Sequence, residues 1–419
     1  MTRNARMESI AATVVVDAPS GPTRRRSAQR SIAPERPSLG SGLSFGLVGT
    51  YPPTKCGIAT FNMSLAQAIV QSPLHNRIGV VSSVDEPREA HPPEVVAQLV
   101  RGSRASVRAA AAELDTFDVV VVQHEFGIYG GVDGGEIVDL VEQLSVPLIV
   151  VLHTVPAHPS PDQRAIIEDL ERGAGCVVAQ SAAARSRLLA THAIAADRLC
   201  VIPHGASLNL APDVPPRRPG RRLVVLTWGL IGPGKGIEFG IEAMAQLRDL
   251  DPVPRYVVLG ETHPRVLEAD GEVYRQLLIA KAKALEVEDM VEFRDVYLKP
   301  RSILAAIRAA DVVLLPYLAR DQVVSGVLVE AIASGKPVVA TRFPHAVEML
   351  GPGSGILVPH QDHEAMAAAL RSLLTDHGLA SRMAAVARRQ APPLAWDTVG
   401  AAYRRLARTL VPSKTAVGH

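Results

Sequence analysis

The feature that most constrains the fold is a series of short, uninterrupted apolar runs, rich in Val, Leu and Ile, that alternate with helical segments. In the first half of the chain the predicted strands span residues 44–49, 77–83, 118–123, 147–153, 176–181 and 199–203. Strands that are apolar at every position are typical of parallel sheets buried on both faces. Strand–helix–strand order with right-handed crossovers therefore predicts a doubly wound α/β sheet.

The same pattern begins again after residues 211–222, APDVPPRRPGRR, which have the proline-rich composition of a linker. The predicted strands of this second half span residues 222–228, 255–260, 290–295, 311–316, 337–341 and 355–359. A chain of 419 residues is long enough for two domains. We predict two Rossmann-like domains, residues 41–215 and 216–394, facing a central cleft, with an amphipathic helix at 395–410 that packs back on the first.

Composition narrows the class of protein. No apolar run approaches the roughly 20 residues of a membrane span, and the first residues lack a secretory signal, so we expect a cytoplasmic protein for which peripheral membrane contact stays open. Residues 1–40 carry a net charge of +4 and are predicted to be a disordered basic tail. The remaining chain has no basic, aromatic face typical of nucleic-acid binding. Its three cysteines lack the spacing of a disulfide framework or a zinc site, and we expect no metal.

A glycine-rich loop follows the first strand of the second half. In LTWGLIGPGKG (226–236), Gly229, Gly234 and Lys235 match the first seven positions of a P-loop, but the eighth position is Gly236. Without a Ser or Thr hydroxyl there is no magnesium ligand, so the loop favours a phosphate or diphosphate bound without metal. The alternative is a strand–helix turn with a solvated lysine.

A second candidate anion site lies in residues 320–341, RDQVVSGVLVEAIASGKPVVAT. Ser325 is predicted to cap a helix over 326–333, and Gly326 would let a ligand approach the amides of residues 326–328. Glu330 lies one turn further along the same face, where its carboxylate could bind two adjacent ribose hydroxyls. The alternative is an ordinary exposed helix glutamate.

Three further segments lie at the carboxyl ends of predicted strands, where open parallel sheets bind ligands. They are a loop with Gly57 before a helix at 58–71, QHEFG at 123–127 and LHT at 152–154. The two histidines could be catalytic, ligating or structural. Since metal-ligand spacing is absent, zinc is not favoured.

Together these segments resemble the retaining glycosyltransferases of GT-B architecture, specifically glycosyltransferase family 4 (group 1), from residue 44 to about residue 400. The resemblance is carried in order by PPTKCGIATF, VLHT, VIPHGA, GLIGPGKG and SGVLVEAIASGKPVVAT. It implies a nucleoside-diphosphate sugar as donor, bound mainly by the second domain, and no cofactor.

The resemblance also implies roles for individual residues. The catalytic candidates are His153 at the donor sugar, Lys235 at the diphosphate, Gln322, and Glu330 at the ribose. The donor-binding candidates are Gly57, Gly229, Gly234, Lys235, Gly260, Glu261, Arg320, Ser325, Gly326, Val327, Leu328 and Glu330. The acceptor candidates are Lys55, His124 and Glu125.

Two positions depart from the family pattern. The first glutamate of its E-x7-E region falls on Gln322, which can hydrogen-bond sugar hydroxyls but supplies no negative charge. The arginine beside the phosphate loop falls on Leu230, and we take Arg320 as its candidate replacement. These departures bear on catalytic efficiency.

We therefore expect a metal-independent hexosyltransferase that retains configuration and acts on a hydroxyl acceptor in a glycan, lipid or small molecule. One alternative is a catalytically weak nucleotide-sugar-binding regulator, favoured by Gln322 and Leu230. Another is a GT-B epimerase or phosphorylase. A P-loop ATPase is disfavoured by Gly236, and a nicotinamide dehydrogenase by the absence of a G-x-G-x-x-G after the first strand.

Overall fold

The computed structural model describes residues 42–210 and 220–412. The predicted basic tail, and residues 211–219 of the predicted linker, lie outside this range. Every predicted strand is present, with ends that shift by at most two residues. Short 3₁₀ turns occupy Val132–Gly134, Ala196–Arg198, Pro233–Lys235 and Pro392–Leu394.

The first sheet, formed within residues 42–210, has seven parallel strands in the order β3-β2-β1-β4-β5-β6-β7. The strands are β1 (Ser44–Gly49), β2 (Arg77–Val84), β3 (Val95–Val100), β4 (Val119–His124), β5 (Leu148–Leu152), β6 (Cys176–Ala179) and β7 (Leu199–Val201). The helices are α1 (Gly57–Val70), α2 (Arg104–Leu114), α3 (Glu136–Val141), α4 (Pro161–Gly173) and α5 (Ala182–Thr191). β1 and β4 are buried at every position, which explains their uninterrupted apolar sequences.

Strand β3 is the one strand that the sequence prediction missed. It lies at the edge of the sheet, where it pairs with β2 alone and where the register shifts between Val80 and Val81. Only Val95 and Leu99 are fully buried in it. An edge strand buried on part of one face lacks the continuous apolar signal of its neighbours.

The second sheet, formed within residues 220–412, has six parallel strands in the order β10-β9-β8-β11-β12-β13. The strands are β8 (Val224–Trp228), β9 (Arg255–Leu259), β10 (Val291–Arg294), β11 (Val312–Leu315), β12 (Val338–Thr341) and β13 (Gly355–Val358). The helices are α6 (Ile237–Ala245), α7 (Pro264–Asp270), α8 (Val273–Ala284), α9 (Pro300–Ala309), α10 (Gly326–Ala333), α11 (Pro344–Leu350), α12 (His363–Thr375) and α13 (His377–Gln390). Both sheets are doubly wound, as predicted.

The last helix, α14 (Trp396–Leu410), returns to the first sheet. Its buried residues Val399, Tyr403 and Ala407 join the apolar core that contains Phe45 and Phe61. Gly400 packs so closely on α1 that an added Cβ would lie 2.8 Å from the Cβ of Ala68. The last helix thus packs on α1 and the core of the first sheet.

Within residues 42–210 and 220–412, no helix combines the length and the apolar composition that a membrane crossing requires.

Candidate active site

A cavity of about 410 Å³ lies between the two sheets, at the carboxyl ends of β8 and β9. Its volume falls within the range of small-molecule sites. Its walls come from the loop before α1, the segment after β7, the ends of β8 and β9, helix α10 and the start of α14. The lining residues include Cys56, Gly57, Phe61, His204, Gly205, Trp228, Gly229, Leu230, Gly260, Glu261, Tyr297, Val327, Glu330 and Trp396.

The start of α1 forms the wall from the first half of the chain. Cys56 is the N-cap of this helix, and its sulfur accepts a hydrogen bond from the amide of Ala59 at 3.3 Å. No atom lies within 4 Å of a Cβ built on Gly57. Gly57 therefore opens the cavity toward the first helical amides, as the sequence predicts for a loop that a ligand approaches.

Two predicted donor-site glycines meet at the ends of β8 and β9. Gly260 has φ +146°, and a Cβ there would lie 1.9 Å from the carbonyl oxygen of Gly229. The amide of Gly229 donates to the carbonyl of Leu259 at 3.0 Å. Any side chain at residue 260 would push these strand ends apart, so glycine is required by close approach.

The phosphate-like loop has a steric reason for its departure from the P-loop pattern. Gly236 is left-handed at φ +61°, and a Cβ there would lie 2.1 Å from the carbonyl oxygen of Pro316. Gly236 is the N-cap of α6, which begins at Ile237. The eighth position therefore excludes every side chain, including the serine or threonine of a magnesium-binding loop.

Lys235 lies in the short turn before α6. Its Nζ atom is 4.4 Å from the centre of the Tyr317 ring, and the neighbouring carbonyl of Gly234 accepts a hydrogen bond from Leu318 at 3.1 Å. Neither Gly234 nor Lys235 lines the cavity in the described part of the chain. A lysine has four side-chain carbons and can turn from the ring toward an anion.

Helix α10 brings a helix start and a carboxylate to the cavity, and it spans the predicted residues. Ser325 caps it by accepting from the amide of Leu328 at 3.3 Å, and the amide of Val329 donates to the Ser325 carbonyl. The amides of Gly326 and Val327 precede that first intrahelical bond and point out of the helix start. This is the geometry that binds anions.

Glu330 lies one turn into α10, beside Trp228. The indole Nε1 donates to Glu330 Oε2 at 3.0 Å, and both residues line the cavity. Burial raises the pKa of Glu330, and the bond from Trp228 opposes that shift. The carboxylate is therefore held in place, with an oxygen left to accept from a ligand hydroxyl.

His204 is a cavity residue that the sequence analysis did not single out, although it quoted VIPHGA. Its Nδ1 donates to the carbonyl of Gly205 at 2.7 Å, so Nε2 carries the lone pair of the neutral ring. A Cβ built on Gly326 would lie 2.9 Å from this Nε2. Burial lowers the pKa of His204 to about 4. A neutral imidazole thus faces the start of α10.

His153 lies beside the cavity behind Phe61. Its Nε2 is 2.9 Å from Gln123 Oε1 and its Nδ1 is 3.0 Å from Gln180 Nε2, so both ring nitrogens are occupied. The ring of Phe61 lies 4.8 Å from that of His153 and 4.9 Å from that of His204, between centroids. Burial lowers the pKa of His153 well below its usual value.

Lys55 and Glu261 connect the two halves of the chain. Lys55 Nζ lies 2.8 Å from Glu261 Oε2 and 5.4 Å from the Tyr297 ring centre. The sequence analysis assigned Lys55 to the acceptor and Glu261 to the donor. The structure pairs them with each other across the cavity that Glu261 and Tyr297 line.

His124 does not face an acceptor, and that prediction is wrong. The residue ends β4, is fully buried, and packs against Phe126 with ring centroids 4.8 Å apart. Burial lowers its pKa to about 4. His124 is the last residue of β4, and the apolar residues around this strand end bury it instead of leaving it at an open edge of the sheet.

Three other residues predicted for the site lie away from the cavity. Glu125 accepts hydrogen bonds from Thr154 Oγ1 at 2.5 Å and from the amide of Phe126 at 3.0 Å. Gln322 Nε2 donates to the carbonyl of Val324 at 2.8 Å, and Arg320 is exposed. In the described part of the chain, none of these three lines the cavity.

Across residues 42–210 and 220–412, no group of three or more His, Cys, Asp or Glu side chains is placed to hold a metal ion.

Solved structures share this architecture. HepE from Anabaena, solved in complex with UDP and glucose, aligns with a TM-score of 0.68 at 17% identity over 88% of this chain and all of its own. Sucrose-phosphate synthase from Thermosynechococcus elongatus aligns with a TM-score of 0.69 at 18% identity over 88% of this chain and 99% of its own. With the two facing parallel sheets, this likeness defines a GT-B fold.

Sequence comparison supplies the family. Residues 214–390 match the model of the glycosyl transferases group 1. D-inositol 3-phosphate glycosyltransferases from Corynebacterium glutamicum and Kineococcus radiotolerans are each 28% identical, over 65% and 66% of this chain and 69% of their own. Residues 214–390 therefore form a domain of the glycosyl transferases group 1, in agreement with the resemblance seen in the sequence.

Proposed function

We propose that the protein transfers a hexosyl group from a nucleoside-diphosphate sugar to a hydroxyl acceptor, with retention of configuration and without a metal ion. One observation carries the proposal. The start of α10 and the carboxylate of Glu330 belong to one helix at the same cavity, so a diphosphate and a ribose one helical turn apart would each meet a matching group.

Lys235 supplies the charge that the diphosphate needs. A cation–π contact at a partly exposed site stabilises by about 0.5–1 kcal/mol, whereas a hydrogen bond to a charged group contributes about 1.5–3 kcal/mol. The ammonium would therefore leave Tyr317 for a bound diphosphate. This matters because Leu230, and not an arginine, lies beside the loop.

His204 is a second group at the same end of the cavity. Its Nε2 faces the helix start at Gly326, where the diphosphate would lie. An imidazole in that place can take up a proton when an anion binds, because a nearby negative charge raises the pKa. His204 is thus a candidate for this role besides the exposed Arg320.

The proposed reaction proceeds by attack on the same face from which the diphosphate leaves. The acceptor oxygen bonds to the anomeric carbon while the bond to the phosphate oxygen breaks, and the departing phosphate takes the hydroxyl proton. Peptide dipoles at α10 and Lys235 stabilise the charge that grows on the diphosphate. Gln322 is an amide bonded to Val324, so it is not a nucleophile. Contacts such as Lys55–Glu261 would hold the halves closed against water.

Metal independence rests on the donor set. Gly236 offers no oxygen and tolerates no side chain, and charge compensation comes instead from Lys235 and helix amides.

The test is a thermal-shift panel of UDP, GDP and ADP sugars in EDTA, followed by turnover with candidate acceptors that include inositol 3-phosphate. A ligand of the folded state raises the melting temperature. We expect one donor to stabilise the protein and nucleoside diphosphate to be released only when acceptor is present. Product of inverted configuration, or binding that needs Mg²⁺, would contradict the proposal.

A second candidate function is that of a nucleotide-sugar-binding regulator with little activity. It is favoured by Gln322, which supplies no carboxylate. Stabilisation by a donor without turnover on any acceptor, and without hydrolysis, would favour it.

A further inference from the structure

A second, smaller cavity lies at the opposite edge of the second sheet. Its volume is about 100 Å³, and it is lined by Arg221, Arg308, Asp311, Lys336 and His377, with small residues of α9 and α13. Residues 311 and 337 directly precede β11 and β12, so the cavity lies at the amino ends of these strands. β11 and β12 have four residues each. At roughly 3.3 Å per residue, the cavity lies on the order of 13 Å from their carboxyl ends, which are at the same edge of the sheet as the donor cavity.

Positive groups outnumber negative ones in this cavity. Arg221, Arg308 and Lys336 are cations, and Asp311 is the one acidic residue among the lining residues described. Both carboxylate oxygens of Asp311 already have partners. Its Oδ1 pairs with Arg221, and its Oδ2 accepts a hydrogen bond from the amide of Val224 at 2.8 Å. The cluster therefore carries a net positive charge.

Lys336 lies half-buried among these charged groups. Its Nζ donates to the carbonyls of Arg308 at 2.8 Å and Ala310 at 2.6 Å, which uses two of its three N–H donors. Burial lowers its pKa to about 8; the attraction of Asp311 opposes this shift, and the smaller repulsions from Arg221 and Arg308 add to it. An anion placed among these groups would relieve the repulsion.

Arg308 presents a further edge that is free of hydrogen-bond partners among the described residues. Its Nε and Nη2 atoms both donate to Asn209 Oδ1, with Nε at 3.1 Å. This leaves the Nη1 side of the fork to face a ligand. A purely structural reading, in which Lys336 caps the last carbonyls of α9 and Arg221 pairs with Asp311, explains each contact. It does not explain a cavity at which three cations meet a single carboxylate.

We propose that this cavity is a binding site for a phosphate-sized oxyanion, separate from the donor site. The ligand would be held by Lys336, Arg221 and the free edge of Arg308. A tetrahedral dianion offers acceptors to each donor and balances the cluster, whereas a metal ion would be repelled.

The test is calorimetric titration of the full chain with sodium sulfate and with inorganic phosphate, at constant ionic strength in chloride. A saturating nucleoside diphosphate occupies the donor cavity throughout. We expect one saturable site, weakened at least tenfold in Lys336→Gln. The matched control is Arg301→Gln, an exposed arginine of α9 outside the cavity, which should bind as the wild type does.

His377→Glu keeps the test decisive if Lys336→Gln does not fold. His377 is exposed, and a carboxylate there should repel the anion while leaving the fold intact. Glycerol phosphate then separates the sources: binding of it assigns the site to phosphate monoesters, and binding of inorganic phosphate alone assigns it to the free anion. No saturable binding, equal affinity in the wild type and His377→Glu, or displacement by the nucleoside diphosphate would each overturn the proposal.

Discussion

Gly236→Ser restores the residue type of a magnesium-binding P-loop, and we expect it to destabilise the protein instead. Gly236 is left-handed, which costs a residue with a Cβ about 1–2 kcal/mol. The new Cβ would lie 2.1 Å from the carbonyl oxygen of Pro316, a contact that forces the backbone to move. Overpacking of this kind costs about 1–3 kcal/mol.

Added together, these effects lower the free energy of unfolding by about 2–5 kcal/mol, a large part of the roughly 5–15 kcal/mol of an ordinary domain. Urea unfolding measures this change, with the fluorescence of Trp228, at the end of β8, reporting on the second sheet. The matched control is Gly234→Ser. Its Cβ would meet no atom within 4 Å, so we expect a change within about 0.5 kcal/mol.

Equal urea midpoints for Gly236→Ser and the wild type would refute the steric reasoning. A Gly236→Ser protein that Mg²⁺ stabilises, and whose turnover becomes dependent on Mg²⁺, would refute the assignment of this loop as metal-free.

Three other expectations concern the donor cavity and acid stability. Lys235→Ala should weaken nucleoside-diphosphate binding about 10- to 100-fold in calorimetry, since a charge-assisted bond of about 1.5–3 kcal/mol is lost; unchanged affinity contradicts the role. Glu330→Gln should keep the fold, because Trp228 can donate to the amide oxygen, and should weaken the nucleoside diphosphate but not inorganic pyrophosphate; an equal loss for both contradicts ribose binding. Burial lowers the pKa of His124 to about 4 and of His345 to about 3, from 6.5, so the unfolded chain binds protons that the folded chain does not. Acidification from pH 7 to pH 5 should therefore cost about 2 kcal/mol of stability per histidine, and His124→Phe should flatten the pH profile of urea midpoints.

The predictable part of the fold came from burial on both sheet faces. β1, β4 and β5 are apolar at nearly every position because helices cover both sides, and helix ends carry local signals. The capping box of Ser160 and Gln163 at the start of α4 is such a signal. Edge strand β3 has no such signal, because only Val95 and Leu99 are buried in it.

Some residues of the candidate site could likewise be found from the sequence, and others could not. Gly260 and Glu330 line the cavity, because Gly260 follows a strand and Glu330 lies near the start of a helix at the carboxyl edge of the sheet. His204 and Trp228 were missed, since their roles depend on contacts with Gly326 and Glu330, which lie more than 100 residues further along the chain. His124 was assigned to the acceptor because a strand end resembles an open edge in sequence, although the sheet buries it.

The most direct measurement of the central claim is a crystal structure of the protein with the best-binding nucleoside diphosphate, grown in EDTA. We expect the diphosphate at the amides of Gly326 and Val327, with Lys235 Nζ turned from Tyr317 onto a phosphate oxygen and the ribose on Glu330. A nucleotide bound elsewhere, or one that binds only with a divalent ion on its phosphates, would contradict it.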